Sequence, residues 1–385
     1  MNPCNTQALC EAVDRHESDI QSLWNETFGD RTSNFIATGN VGGATDTDLA
    51  GDAATHAIDV AEISKGALVI NGMKPEGLFI VGGMNFDAVT TVGYTQEAKL
   101  LNPFSDLHLR RKLWPVMSEY DYQATENSAG TIDQKMDKTI LRLFPLLPDA
   151  RRYYSVYDQK SNTEFFILSS GRRKQYHPDG PAAAFVFPND PVLTQEQNTW
   201  LIQRCSSTPA KNKVVIFDAP FASIIDCFRG VGSQGAAQTK TDFVGWDFEA
   251  LGIKLIITGH SGNSFRIRKG SINIVNASAF LRSRMGLALS ENGASEPPIV
   301  TDTFGGQGYS VEYFSRRPMA VAYPGVKYPG GVAGSYITPK NEFFHMKCSR
   351  EGITCEFISY NTTLLSADAV IASKVVEHTF EITSL

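Results

Sequence analysis

Residues 255–266 have the sequence LIITGHSGNSFR, in which a run of β-forming apolar residues is followed by a glycine-rich polar tip and a second β-like run. The same layout of apolar run and tip occurs in four other blocks: NFIATGNVG (34–42), LFIVGGMNF (78–86), LWPVMSEYD (113–121) and VVIFDAPFAS (214–223). Continuous apolar runs of this length are typical of strands that are buried on both faces of a sheet. The polar tips of such strands collect at one sheet edge, so we expect the five tips to share a cleft.

Apolar runs alternate with polar helix-forming stretches over roughly residues 35–289. Examples of the latter are TDLAGDAATHAIDVAEISKG (47–66) and LTQEQNTWLIQRC (193–205). This alternation predicts a layered α/β sandwich. With 385 residues, of which 42% are hydrophobic, the chain can bury a large core, and its length fits one large or two ordinary domains.

The five blocks resemble, in order and spacing, the metal-site motifs of the calcineurin-like metallophosphoesterases, nearest the purple acid phosphatase branch. The motifs of that family are GDxG, GDxxY, GNHD, HxP and GHxH. The segment RYYS (152–155) followed by EFFILSSG (164–171), and the hairpin sequence EFFHMKCSREGITCEFISY (342–360), resemble further strands of the family. The resemblance implies a four-layer α/β/β/α sandwich that forms one large domain over residues 31–385.

Members of this family hold two divalent cations roughly 3.5–4 Å apart at these tips, where the cations clamp a phosphoryl group. The transferred motifs have lost most of their ligands: Asn40 stands for the first aspartate, Gly83 for the bridging aspartate, Phe86 for the tyrosine, Glu119 and Tyr120 for the Asn-His pair, Asp218 for the histidine of the fourth motif, and Gly262 for the second histidine of the fifth. His260 is retained. Because Gly83 supplies no anionic bridge between two cations, the sequence predicts a degenerate site with no cofactor and no catalytic residues.

Three functions fit a degenerate site. The one we predict is a catalytically inactive structural or binding protein, such as a bacteriophage tail or fibre component, located in a virion or at an extracellular surface. An alternative is a phosphoesterase with one Mg²⁺ or Mn²⁺ held by Asn40, Glu119, Asp218 and His260, with water as the nucleophile. The third is a soluble pseudoenzyme that binds a nucleotide or a sugar phosphate without turnover.

Residues 1–30 are polar, contain little glycine and are predicted to form a helix. Apolar residues and one histidine recur at spacings of four and three, as in the seam of a short coiled coil: Leu9, Val13, His16, Ile20 and Leu23. The seam predicts a stem that makes the chain a homo-oligomer, with a trimer favoured, and that presents it to other virion proteins or to a cell-surface receptor. A single amphipathic helix packed on its own domain explains the same pattern.

Residues 291–336 are rich in glycine, proline and tyrosine and are predicted to form a long exposed insertion. Binding surfaces concentrate on such loops. An ordinary irregular connection between two strands would have the same composition.

Charge and composition exclude several classes of protein. The net charge is −6 and the basic clusters at 110–112, 172–174 and 316–317 are short, so we expect no nucleic-acid partner. No apolar stretch approaches the roughly 20 residues of a membrane span, and MNPCNTQALC (1–10) does not resemble a signal sequence. These features predict no membrane insertion, and a cytoplasmic location if the protein is not in a virion or outside a cell.

The remaining histidines and the cysteines show no metal-ligand spacing. Each histidine is therefore predicted to be a surface or capping residue: His56, His108, His177, His345 and His378. Among six cysteines, Cys348 and Cys355 flank the turn sequence SREGIT and are expected either to pair across a hairpin or to remain free, buried thiols.

Overall fold

The computed structural model describes residues 32–39, 53–82, 102–116, 144, 153–169, 191–218, 246–259, 264–277, 310–314 and 341–384. The strands, in chain order, are β1 (Ser33–Thr38), β2 (Gly77–Val81), β3 (Leu113–Val116), β4 (Tyr154–Asp158), β5 (Thr163–Ile167), β6 (Asn212–Ile216), β7 (Leu255–Thr258), β8 (Ser264–Lys269), β9 (Ile272–Ala277), β10 (Ser310–Phe314), β11 (Asn341–Cys348), β12 (Gly352–Tyr360) and β13 (Val375–Thr383). The helices are α1 (Ala53–Gly72), α2 (Ser105–Leu109), α3 (Pro191–Ser207) and α4 (Ala367–Ala372).

The strands form two mixed sheets. The first sheet has the order β13-β12-β11-β1-β2-β3, and the second has the order β10-β8-β9-β7-β6-β5-β4. In the first sheet β1, β2 and β3 are parallel, while β11, β12 and β13 add antiparallel neighbours. In the second sheet β5, β6, β7 and β9 are parallel. Every block that the sequence predicts to be a buried strand thus begins with a strand in the parallel part of a sheet.

A shared hydrophobic core lies between the two sheets. Phe35 and Phe79 from the first sheet meet Phe165 from the second, with ring centroids 4.6 and 4.8 Å apart. All three side chains are buried, in the same cluster as inward-facing residues of β6, β7 and β9. Tilted aromatic contacts at this spacing stabilise a core beyond the area that they bury.

The outer face of each sheet is covered by helices. Ile63 and Ile70 of α1 and Val370 of α4 pack with the outward residues of the first sheet. Leu201 and Cys205 of α3 pack with the outward residues of the second sheet. The order of layers is therefore helix, sheet, sheet and helix, which confirms the predicted α/β/β/α sandwich.

Two predicted features of the organisation, the stem and the insertion, lie wholly or largely outside the described residues. The predicted coiled-coil stem over residues 1–30 lies outside them. Within the predicted insertion, residues 310–314 form β10, which pairs antiparallel with β8 at one edge of the second sheet. Among the helices of the described ranges, none combines the length and the apolar character that a membrane span requires.

Candidate functional site

The ends of parallel strands from both sheets meet at one edge of the sandwich. The Gly82 amide, just after β2, donates a hydrogen bond to the Val116 carbonyl at the end of β3, at 2.9 Å. The Gly259 amide, just after β7, donates to the Asp218 carbonyl after β6, at 2.8 Å. These bonds tie neighbouring tips together within each sheet, and this is the edge at which open α/β sheets place their ligands.

Gly259 joins the two pairs of tips across the sandwich. A Cβ atom at this position would overlap the Val81 carbonyl oxygen and lie 2.9 Å from Asp218 Oδ1. The two sheets thus approach each other so closely here that only a residue without a side chain fits at position 259. We call this contact between residues 81–82, 218 and 259 the tip seam.

Asp218 is the predicted site residue that the structure describes. Val214 and Ile216 of β6 both face the shared core, and alternate residues of a strand lie on the same face. Asp218 continues this alternation, so its side chain enters the space between the sheets. Its side chain is 1% exposed. At the position where the HxP motif has a histidine, this chain therefore has a buried carboxylate at the tip seam.

The other predicted positions lie outside the described residues: Asn40, Gly83, Phe86, Glu119, Tyr120, His260 and Gly262. Positions 40, 83 and 260 directly follow Gly39, Gly82 and Gly259, each of which is described at the end of a parallel strand. The prediction that all the tips share a cleft remains a prediction. In the described part of the chain, no group of three or more His, Cys, Asp or Glu side chains is placed to hold a metal ion.

A pair of buried polar side chains supports the Gly259 backbone from the outer side. Asn276 Nδ2 donates to the Gly259 carbonyl and, at 3.2 Å, to Thr258 Oγ1. The Thr258 hydroxyl donates to the Val275 carbonyl at 3.1 Å. Buried amides and hydroxyls of this kind are retained where they satisfy backbone groups. The sequence signal of this support is Asn276 itself, a polar residue inside the apolar run INIVNA.

A second buried amide supports the end of β5. The backbone amide of Ser169 donates to Gln197 Oε1 at 2.7 Å, and Gln197 Nε2 donates to the Ser169 carbonyl at 3.1 Å. Helix α3 thereby supplies hydrogen-bond partners for both backbone groups of Ser169, two residues after the end of β5. Gln197 in the polar helix was not predicted to be buried.

His345 was predicted to be a surface or capping residue, and this is wrong. Its side chain is 3% exposed and lies on the helix-covered face of the first sheet, since its neighbours Phe344 and Met346 face the shared core. His345 Nδ1 is 3.0 Å from Glu356 Oε2, and Lys347 donates to Glu356 Oε1 at 2.7 Å. Burial lowers the pKa of His345 although Glu356 opposes the shift. The residue is therefore a buried, neutral group, which its position in the strand did not reveal because only the packing decides which faces of a sheet are covered.

The two cysteines of the closing hairpin are free, buried thiols, as one of the two sequence interpretations expected. Cys355 is opposite Met346 and Cys348 is opposite Ile353 in the strand register, so the thiols are not directly paired across the hairpin. Burial raises the pKa of both thiols. Both therefore act as small apolar core residues.

Comparisons with known proteins find a likeness in fold and none in sequence family. No family model matches the chain, and no curated protein matches it in sequence. A solved structure described as GAP50, the anchor in the inner membrane complex of Plasmodium, is 12% identical, with 92% of this chain and 89% of that chain covered and a TM-score of 0.50. A purple acid phosphatase from yellow lupin (Lupinus luteus) seeds is 11% identical, with 91% and 54% covered and a TM-score of 0.48, so this chain spans about half of it.

A dimetal phosphatase from Danio rerio is 9% identical, with 92% of this chain and 99% of that chain covered and a TM-score of 0.48. These structures all have metallophosphoesterase-type folds. The chain has the same fold, on the evidence of the GAP50 likeness and of the four-layer topology. The resemblance in sequence motifs is confirmed at this level, and identities this low carry the likeness no further than the fold.

Proposed function

We propose that this chain uses the metallophosphoesterase fold as a structural or binding part and does not catalyse dinuclear phosphoester hydrolysis. The observation that carries the proposal is at the tip of β2. The backbone there is held in the tip seam by Gly82, and the next residue, Gly83, has no side chain with which to bridge two cations. Two hard cations at close range need a shared anionic ligand, so the donor set does not fit a dinuclear centre.

The assembly role is proposed from the N-terminal sequence and supported by one precedent. The seam Leu9, Val13, His16, Ile20 and Leu23 suits a short oligomeric stem that presents the sandwich, as in a tail or fibre component of a virion. A protein with this fold, GAP50, is described as an anchor. Location in a virion or at an extracellular surface belongs to the same proposal.

The buried carboxylate of Asp218 favours a second candidate. A carboxylate that faces the tip seam is a suitable oxygen ligand for one Mg²⁺ or Mn²⁺, with Asn40, Glu119 and His260 as the other donors. A single cation so held would support phosphoester hydrolysis by water, or binding of a nucleotide or sugar phosphate without turnover.

Metal analysis joined to an aryl phosphatase assay separates these candidates. The purified wild-type protein is expected to carry no stoichiometric transition metal and to show no hydrolysis above buffer, including after addition of Mg²⁺ or Mn²⁺. An active purple acid phosphatase is the positive control for the assay. About one equivalent of Fe, Zn or Mn, together with hydrolysis that is abolished in both His260→Ala and Asp218→Asn, would establish the single-metal enzyme instead.

Mass measurement tests the assembly role independently of catalysis. The full-length protein is expected to be a trimer at micromolar concentration, and Ile20→Asp is expected to reduce it to monomer without loss of the α/β circular dichroism signal. Ser18→Asp is the matched control, since it adds the same charge on the opposite side of the predicted helix from the seam. A monomeric wild type, or equal assembly of both variants, contradicts the stem.

A further inference from the structure

The open edges of the two sheets are joined by a cluster of side chains that the candidate site does not include. Arg266 of β8, in the second sheet, lies over the ring of Phe380 of β13, in the first sheet, at 3.8 Å from its centroid. Arg266 Nη1 is 3.2 Å from His378 Nε2, also on β13. Tyr313 of β10 stacks on His378 with ring centroids 4.9 Å apart and ring planes at 8°. We call these four residues the edge latch.

The edge latch is part of the attachment of β10 to the first sheet. Besides its stack on His378, Tyr313 contacts Phe357 of β12 with ring centroids 4.5 Å apart, and its hydroxyl donates to Glu342 Oε1 of β11 at 3.0 Å. Within its own sheet, β10 is an edge strand with β8 as its neighbour. Loss of the stack on His378 would therefore leave β10 attached to the first sheet only through the contacts of Tyr313 with Phe357 and Glu342.

The hydrogen bond at the centre of the latch requires neutral His378. A guanidinium only donates, so His378 Nε2 must be the acceptor, with the proton of the neutral ring on Nδ1. Protonation of Nε2 would remove the acceptor and place two cations in contact. Arg266 is held in place by two further bonds to Asn273 Oδ1, at 3.0 and 2.8 Å, and cannot turn away without losing them.

We propose that the edge latch is an acid-sensitive switch that weakens the attachment of β10 to the first sheet when His378 is protonated. β10 lies within the glycine- and tyrosine-rich stretch 291–336, and the proposal concerns its described residues 310–314.

Charged groups on β8 and β10 act on the pKa of His378 in opposite directions. Arg266 from β8 opposes protonation of His378, whereas Glu312 from β10 favours it. Glu342 from β11 accepts the hydrogen bond of the Tyr313 hydroxyl. β12 presents Phe357, which does not titrate. The net effect of burial and of Arg266 is a pKa of His378 below its ordinary value. A lowered histidine pKa makes the latched state stable above the ordinary pKa and progressively weaker as the pH falls below it.

Hydrogen exchange at pH 7.5 and pH 5.0, corrected for intrinsic rates, tests the switch. Protection of residues 310–314 is expected to fall by about tenfold for each unit of separation between the free and latched pKa of His378, while residues 272–277 of β9 stay protected. His378→Phe keeps an aromatic ring against Tyr313 but cannot be protonated, so its protection of β10 should not depend on pH. His345→Gln is the matched control that removes the buried histidine of β11, and it should retain the loss of protection that the wild type shows at low pH.

A second measurement covers the case in which His378→Phe does not fold. Arg266→Gln keeps a donor for His378 but removes the facing cation, and the NMR-detected pKa of His378 should rise relative to wild type. The proposal is overturned if β10 stays protected at a pH where NMR shows His378 to be protonated. It is equally overturned if His378→Phe loses protection at low pH as wild type does, or if Arg266→Gln leaves the pKa of His378 unchanged.

Discussion

Replacement of Phe165 by alanine is expected to lower the free energy of unfolding by about 3–5 kcal/mol, the range for truncation of a fully buried phenylalanine. Phe165 is 0% exposed and is the ring of the second sheet that contacts both Phe35 and Phe79 of the first. Its loss would leave a cavity between two sheets whose backbones cannot close on it. Urea denaturation followed by circular dichroism measures the change.

Two controls bound this result. Phe165→Leu retains most of the buried volume and should cost clearly less than the alanine variant. Val376→Ala removes an apolar side chain that is 49% exposed on β13 and should change stability by about 0.5 kcal/mol or less. If Phe165→Ala costs no more than Val376→Ala, the two sheets do not share the core described.

Replacement of Gly259 by alanine is expected to cost about 2–3 kcal/mol, because the added methyl group overpacks the tip seam. The added Cβ would overlap the Val81 carbonyl oxygen, a backbone atom at the end of β2, and would crowd the Asp218 carboxylate. Relief requires the sheets to separate at this edge. The measurement is the urea midpoint, together with hydrogen exchange at residues 77–82 and 255–259.

Gly72→Ala is the matched control for this substitution. Gly72 is the last residue of α1, and a Cβ there would meet no atom within 4 Å. The same chemical change should therefore alter stability by about 0.5 kcal/mol or less. Equal effects of the two substitutions would mean that the tip seam is not closed as described. The placement of the candidate site would then also be wrong.

Local sequence pattern predicted the strands of the parallel sheets and the class of fold. Runs such as LFIV (78–81) and VVIF (214–217) are apolar at every position because both faces of their sheets are covered, one by the other sheet and one by helices. The motif spacing added the order of the tips, and the four-layer sandwich follows from both. Pattern of this kind is a local property, so it survives in a sequence even where ligands have been replaced.

The positions of single polar residues were beyond the sequence. His345 was expected at the surface, yet it is buried beside Glu356, because a β-strand places alternate residues on opposite faces and only the packing decides which faces are covered. Gln197 lies in a polar helix but is buried because its side-chain amide forms hydrogen bonds with the backbone of Ser169, just after β5. In both cases a distant part of the chain supplies the partner.

The identity of the site residues was therefore decided by the sequence, and their environment by the tertiary structure. The sequence by itself determined that position 83 has no carboxylate and that position 218 has one, since these are covalent facts. Only the packing of the two sheets determined that Asp218 is buried in a seam closed by Gly259, and that Arg266 of one sheet meets His378 of the other. Residues 112 positions apart along the chain become neighbours because the hydrophobic core brings the sheets together, and no local pattern records that distance.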